Sequence, residues 1–115
     1  MVKIMISIVC VYNNEEIFNN YLLKSLKSQT AKHEEILIDN TQGRFKSAAE
    51  ALNWGGRKAK GKYIMFVHQD VDLSSNTWLE NAENILDPII NLGIAGVAGM
   101  SEEGLINKER NRGII

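Results

Sequence analysis

The stretch Lys3-Ile4-Met5-Ile6-Ser7-Ile8-Val9-Cys10-Val11-Tyr12-Asn13-Asn14 opens with a nearly continuous apolar run, rich in Ile and Val, from Lys3 to Val11. Such a run lacks the polar alternation of a half-exposed strand and suits a central strand buried on both faces, as in a parallel sheet. It stops at Tyr12-Asn13-Asn14, where an Asn can cap a helix. Glu15 and Glu16 suit the first turn because they complement the helix dipole. Ile17, Tyr21, Leu22 and Leu26 then recur at helical spacing and predict a helix that fades near Gln29-Thr30.

Further along the chain the pattern repeats. Glu34 to Asp39 reads as a second short strand, followed by the polar loop Asn40 to Lys46. Ser47-Ala48-Ala49-Glu50 fits a capping box. The helix it opens carries Ala51, Leu52 and Trp54 and is expected to weaken at Gly55-Gly56. Ala59-Lys60-Gly61-Lys62 is a turn, Tyr63 to Val67 a third strand, and Asp70 and Asp72 follow directly. Thr77 and Glu80 offer a second capping box, with Trp78, Leu79, Ala82, Ile85 and Leu86 as the apolar face and Pro88 as the stop. Ile94 to Gly99 looks like a fourth strand, and Ser101 to Arg112 is polar and weakly patterned. Alternation of strand and helix predicts the α/β class: an open, mostly parallel sheet with flanking helices and right-handed crossovers. Ligands of such sheets lie outside the carboxyl ends of the strands, which singles out Tyr12-Asn13, Asp39 and His68-Gln69-Asp70.

Composition narrows the function. With 115 residues the chain has room for one small domain, expected to span 1–115; 44% apolar and 23% charged residues are ordinary for a soluble globular protein. Lys and Arg are scattered among Asp and Glu at a net charge of −1, which disfavours nucleic-acid binding. Cys10 is the only cysteine and reads as a small buried hydrophobe, and no intrachain disulfide is possible. Nothing reads as a secretory signal or membrane span, so a cytoplasmic location is expected, with peripheral membrane association left open.

Several of these pieces carry a family resemblance. Ile6 to Asn13 resembles the opening strand of family 2 glycosyltransferases of GT-A type, with Cys10 where that family usually has proline. Glu35-Ile36-Leu37-Ile38-Asp39 is similar to its second strand, which ends in aspartate. Asn53 with Ala59-Lys60-Gly61-Lys62-Tyr63-Ile64 resembles the stretch leading into its metal-binding strand. Phe66-Val67-His68-Gln69-Asp70 occupies the place of its Asp-x-Asp motif, with His68 for the first aspartate, and Trp78-Leu79-Glu80 matches the helix after it. The resemblance covers roughly the first hundred residues and implies the Rossmann-like, nucleotide-binding half of a GT-A domain. The second half of the usual fold, with acceptor groove and catalytic base, is expected to be missing; Glu102, Glu103 and Glu109 lie in an unpatterned tail.

The resemblance implies a nucleotide-diphosphate-sugar donor, UDP-sugar favoured over GDP or dTDP, with transfer to an acceptor that the sequence does not name. Divalent metal, Mn²⁺ or Mg²⁺, would stabilise the leaving diphosphate, and oxygen ligands suit those ions. Asp70 takes the metal role of the motif's last aspartate, and His68 is a second metal ligand or a partner to ribose or phosphate. Tyr12 would stack on the nucleobase, Asp39 accept a base N–H, Asn13 reach a phosphate or ribose, and Arg44 and Lys46 neutralise phosphate.

Plainer readings stand beside these: Tyr12 as packing, Asp39 as a turn opener, Asp70 and Asp72 as a solvated turn, and His68 as a non-ligand histidine. His33 is expected at the surface, Trp54 and Trp78 in the core, and Lys58, Lys60 and Lys62 in a solvated turn. Little or no transfer is expected from this chain alone. A non-catalytic nucleotide-binding or oligomerisation module is the alternative; a flavodoxin-like signalling domain is weakened by Tyr12-Asn13-Asn14, where an acidic pair would stand. An uncovered strand edge predicts a homo-oligomer, most simply a dimer, with Ile94 to Gly99 and Gly113-Ile114-Ile115 as contacts.

Overall fold

The computed structural model describes residues 5–89 and 92–96. The start of the predicted first strand (Lys3, Ile4), the end of the predicted fourth (Val97-Ala98-Gly99), the stretch Ser101 to Arg112 with Glu102, Glu103 and Glu109, and Gly113-Ile114-Ile115 lie outside the described residues. The chain divides into two compact units, Met1–Ile85 and Leu86–Ile115.

In the first unit β1 (Ile6–Tyr12) is the central strand of a three-stranded parallel sheet of order β2-β1-β3. Its partners are β2 (Glu34–Asp39), with Ser7 opposite Glu34 and Tyr12 opposite Asp39, and β3 (Tyr63–Phe66), with Ile6 opposite Tyr63 and Val9 opposite Phe66. The Ile/Val run is thus buried on both faces, and the expected α/β architecture holds. Ile6, Ile8 and Cys10 pack with Phe18, Leu22, Leu26, Leu73 and Leu79, while Val9 joins Ile38 and Ala51 on the other face. Burying a side chain of Leu or Ile size fully is worth about 1.5–3 kcal/mol, so these two small clusters dominate the stability.

The first helix is built in three consecutive pieces: α1 (Glu15–Phe18), an i→i+5 segment over Asn19–Leu23, and α2 (Lys24–Lys27). Asn14 caps it, its Oδ1 accepting from Ile17 N at 3.1 Å. Phe18, Leu22 and Leu26 are buried, and Tyr21, predicted on the apolar face, is 47% exposed.

Helix α3 (Ala48–Lys58) begins at the expected cap, with Ser47 Oγ accepting from Glu50 N at 3.1 Å. The return bond of the box is displaced by one residue, because Glu50 Oε2 accepts from Lys46 N. The helix does not weaken at Gly55-Gly56 but runs through both. A Cβ on Gly55 would lie 2.7 Å from Val9 Cγ1 and 2.8 Å from Ile38 Cδ1, so the glycine lets the helix press directly on the sheet.

The turn before β3 is anchored rather than merely solvated. Ser7 Oγ donates to Glu34 Oε1 at 2.7 Å and accepts from Gly61 N at 2.8 Å, while Lys60 N donates to Glu34 Oε1 at 2.8 Å. Gly61 approaches so closely that a Cβ would meet Ser7 N at 2.9 Å. These donors hold the Glu34 carboxyl below its ordinary range, the Lys60 amide first and the Ser7 hydroxyl second.

Helix α4 (Trp78–Leu86) buries Leu79, with Trp78 and Ala82 packed against the same cluster. At its amino end the bonds run to the segment after α2 instead of closing the predicted capping box. Gln29 Oε1 accepts from Leu79 N at 3.0 Å, and Glu80 Oε2 accepts from Thr30 Oγ1 at 3.0 Å. Ile85, predicted to face the core, is 68% exposed. In the second unit Ile89 N donates to Leu86 O at 3.0 Å. Ile94, Ala95 and Gly96 form no strand, which corrects the expected fourth strand as far as it is described; Ala and Gly are poor strand formers. No helix among the described residues is long and apolar enough to cross a membrane.

Candidate functional site

The carboxyl ends of the three strands converge, as the parallel arrangement requires. Beside them lies a cleft of about 580 Å³ lined by Val11, Asn13, Asn40, Lys46, Ser47, Ala48, His68, Gln69 and Asp70. Of the residues singled out in the sequence, Asn13, His68 and Asp70 meet in this cleft, and Lys46 joins them. Tyr12 and Asp39 do not line it; they stand side by side as register partners at the ends of β1 and β2.

Gln69 holds the cleft's floor together. Its Oε1 accepts from the backbone amides of Asn13 and Asn14 at 3.0 and 3.1 Å, and its Nε2 donates to Asn13 Oδ1 at 2.9 Å. Three bonds from one side chain tie the segment after β3 to the segment after β1. Asn40 does the same for the loop after β2: its Oδ1 accepts from Phe45 N at 2.8 Å and its Nδ2 donates to Phe45 O at 3.2 Å. That closed loop delivers Lys46 and the capping residue Ser47 to the cleft wall. Neither Gln69 nor Asn40 was assigned a role from sequence. The only signals were their places beside Asp70 and Asp39 at strand ends.

The strand-end groups differ in character. Tyr12 stacks face to face on Phe18, with ring centroids 4.1 Å apart and planes 2° from parallel, so one face of its ring is already covered. Its hydroxyl is pushed above its ordinary pKa by desolvation and then by the charges of Asp39 and Glu15. Asp39 is exposed; its Oδ1 accepts from Thr41 Oγ1 at 2.6 Å and Thr41 N at 2.8 Å, which lowers its pKa. Asp72 Oδ1 accepts from Ser74 N at 2.7 Å and belongs to a turn in which Ser74 has φ 62°. Cys10 is fully buried, and burial, helped by the Asp70 carboxylate, pushes its thiol to about 12. It packs as a small hydrophobe, as the sequence suggested.

Other expectations shift. The Arg44 guanidinium lies 4.8 Å from the centre of the Trp54 ring and 4.9 Å from that of Phe45, and Lys58 Nζ lies 4.6 Å from Trp54. Cation–π stacking therefore holds Arg44 on these rings, and Lys46 is the cation that lines the cleft. Trp54 packs against Val9, Ile38 and Ala51, and Trp78 against the larger cluster, so both serve the core. His33 is not a free surface residue. Its side chain is 10% exposed, with Nδ1 2.9 Å from Ala31 O and Nε2 2.7 Å from Glu35 Oε2. It borders a smaller hollow of about 340 Å³ near the amino end of β2 that contains none of the strand-end residues.

Among the described residues no three His, Cys, Asp or Glu side chains gather as a metal cage. Asp70 and His68 both line the cleft, one bringing a carboxylate and the other an imidazole. The Asp70 carboxylate is the donor type that Mg²⁺ and Mn²⁺ prefer, commonly completed by a substrate's phosphate oxygens, whereas an imidazole suits softer ions better.

Residues 6–114 match the family model described as "Glycosyltransferase like family". The chain belongs to that glycosyltransferase-like family. No curated protein and no solved structure matches the chain. The family match runs through every strand end that forms the cleft, and the resemblance carried by Tyr12-Asn13, Asp39 and His68-Gln69-Asp70 falls inside it. A glycosyltransferase-like domain on an open parallel sheet is therefore the frame in which these side chains are to be understood.

Proposed function

We propose that this glycosyltransferase-like domain binds a nucleotide-diphosphate sugar, with UDP-sugar favoured, in the cleft at the strand ends, for transfer of the sugar to an acceptor. The observation that carries the reading is the convergence of Asn13, Lys46, His68 and Asp70 on one cleft at the carboxyl ends of parallel strands. Lys46 supplies positive charge to the diphosphate. Asp70 and His68 are the residues that would hold Mn²⁺ or Mg²⁺, whose charge stabilises a departing diphosphate. Asp39 accepts a ring N–H of the base; Thr41 occupies only its Oδ1, and no described residue bonds Oδ2. The uncovered face of Tyr12 is the stacking surface beside it.

A base positioned at the acceptor hydroxyl is what an inverting transfer needs beyond donor binding. The basic groups that line this cleft, Asp70 and His68, are assigned to the metal, so the chain alone is expected to transfer sugar slowly or not at all. A second reading, a non-catalytic nucleotide-binding or oligomer-forming module, draws on the 45% and 54% exposure of Ile64 and Phe66 on β3, an edge strand among the described residues. The proposal keeps the chain in the cytoplasm or at the membrane periphery.

Amide-shift mapping with UDP and GDP tests the reading. Shifts should concentrate at Tyr12, Asn13, Asp39, Asn40, Lys46 to Ala48 and His68 to Asp70. Shifts scattered elsewhere, or none at millimolar nucleotide, would remove it. Rapid turnover with a defined donor and acceptor would instead show that the chain carries its own base.

A further inference from the structure

We propose that Gln69 is a positioning residue that fixes which end of the Asn13 amide faces the cleft, so that Asn13 donates a hydrogen bond to a phosphate oxygen of the bound nucleoside diphosphate. The proposal rests on the nucleotide reading above and adds a residue and a polarity to it.

The polarity follows from donors whose identity is fixed. The backbone N–H groups of Asn13 and Asn14 both point at one atom of Gln69, at 3.0 and 3.1 Å. A backbone amide can only donate, so that atom is the carbonyl oxygen Oε1, and the other end of the side chain is the donor Nε2. Nε2 faces Asn13 at 2.9 Å, so the Asn13 atom it meets is the acceptor Oδ1. Asn13 Nδ2 is thereby turned away from Gln69 with two N–H groups. No described residue bonds it, Asn13 is exposed, and it lines the cleft with Lys46 and Ser47.

An ionised diphosphate offers acceptor oxygens and little to donate. A wall presenting Asn13 Nδ2 and the Lys46 ammonium is complementary to it, whereas an Asn13 turned the other way would present a carbonyl oxygen to an anion. Gln69 also sits between His68 and Asp70 in sequence, so the bonds that orient Asn13 fix the distance from Asn13 to the metal-side residues. A hydrophobic side chain of similar size at position 69 would leave two strand-end amides and Asn13 without that anchor.

The test compares UDP titrations, by calorimetry, of the unaltered chain, Gln69→Leu, Asn13→Ala and the double variant, with melting temperatures measured alongside. A hydrogen bond to a charged group contributes about 1.5–3 kcal/mol, so each single variant should bind UDP about tenfold or more weakly. The double variant should be no weaker than Asn13→Ala, because Gln69 acts through Asn13. A multiplicative loss in the double variant, or full affinity in Gln69→Leu, would overturn the proposal. A second measurement, amide hydrogen exchange in the free protein, separates this idea from the nucleotide reading. Protection of the Asn13 and Asn14 amides should be lost in Gln69→Leu and kept in Asn13→Ala. Equal protection in the unaltered chain and Gln69→Leu would overturn the orientation itself. Absence of UDP binding with protection behaving as described would fault the ligand and with it the phosphate contact.

Discussion

Adjacent glycines in α3 should respond to alanine with opposite signs. Replacing a helical glycine by alanine favours the helix by about 1 kcal/mol when nothing else changes. At Gly55 something else does change. The added Cβ would sit 2.7 Å from Val9 Cγ1 and 2.8 Å from Ile38 Cδ1, more than half an ångström inside the 3.4 Å lower limit of ordinary contact. Val9 is fully buried in the central strand and stiff at χ1, so it cannot swing aside. Overpacking of this kind costs about 1–3 kcal/mol, which outweighs the propensity gain and leaves Gly55→Ala destabilised by up to about 2 kcal/mol. At Gly56 the nearest atom is Phe66 Cζ at 3.3 Å, and Phe66 is 54% exposed and free to yield. Gly56→Ala should therefore gain about 0.5–1 kcal/mol. Each 1 kcal/mol moves the Tm of a small domain by about 4–8 °C, so thermal unfolding followed by circular dichroism resolves the two variants easily. Because α3 carries Ser47 and Ala48 to the cleft, Gly55→Ala should also weaken nucleotide binding. A Tm for Gly55→Ala equal to or above that of the unaltered chain would refute the close helix–sheet packing.

Three further outcomes follow from the same structure. Glu34 has a depressed folded pKa, so its contribution is present above its ordinary value of 4.5 and is lost as pH falls through the folded value; Glu34→Gln should flatten the loss of stability below about pH 4.5 in urea titrations, and an unchanged acid limb would count against the Ser7–Glu34–Lys60 network. Cys10, buried with its thiol near 12, should react with a thiol reagent at neutral pH only as fast as the chain opens, whereas immediate labelling of the folded protein would contradict its placement. The exposed Ile64 and Phe66 on β3 should support self-association at micromolar concentration that I64K weakens in sedimentation, and a monomer throughout would end the oligomer reading.

The parallel sheet was legible because its signal is local. An apolar Ile/Val run, a second run ending in Asp39 and the β-formers before His68 each specify a strand without help from the rest of the chain. Ser47 was legible for the same reason, since capping depends on neighbours in sequence. Gly55-Gly56 misled because propensity favours ending a helix there, while the deciding term is contact with Val9 and Ile38 on distant strands. Tyr21 misled because the buried row is Phe18, Leu22 and Leu26, four residues apart, and Tyr21 lies beside that row rather than in it. In the site, Asn13, His68 and Asp70 were found by the strand-end rule. Gln69 was reached by the same rule but given no role, and Asn40 was passed over, because a side-chain amide reveals its role only through what it bonds, and the partners of Gln69 lie more than fifty residues away. Arg44 was drawn to the phosphate by its charge, and the rings of Phe45 and Trp54 hold it elsewhere.

On the proposed reading the cleft at the strand ends receives a nucleoside diphosphate with its metal on Asp70. Calorimetric titration of UDP into the unaltered chain and Asp70→Asn, each with and without Mn²⁺, addresses it directly. UDP should bind the unaltered chain, Mn²⁺ should tighten that binding, and Asp70→Asn should remove the tightening while leaving the metal-free affinity equal or higher, since a carboxylate beside the phosphates is gone. No heat with UDP or GDP at millimolar concentration, or a metal effect undiminished in Asp70→Asn, would contradict it.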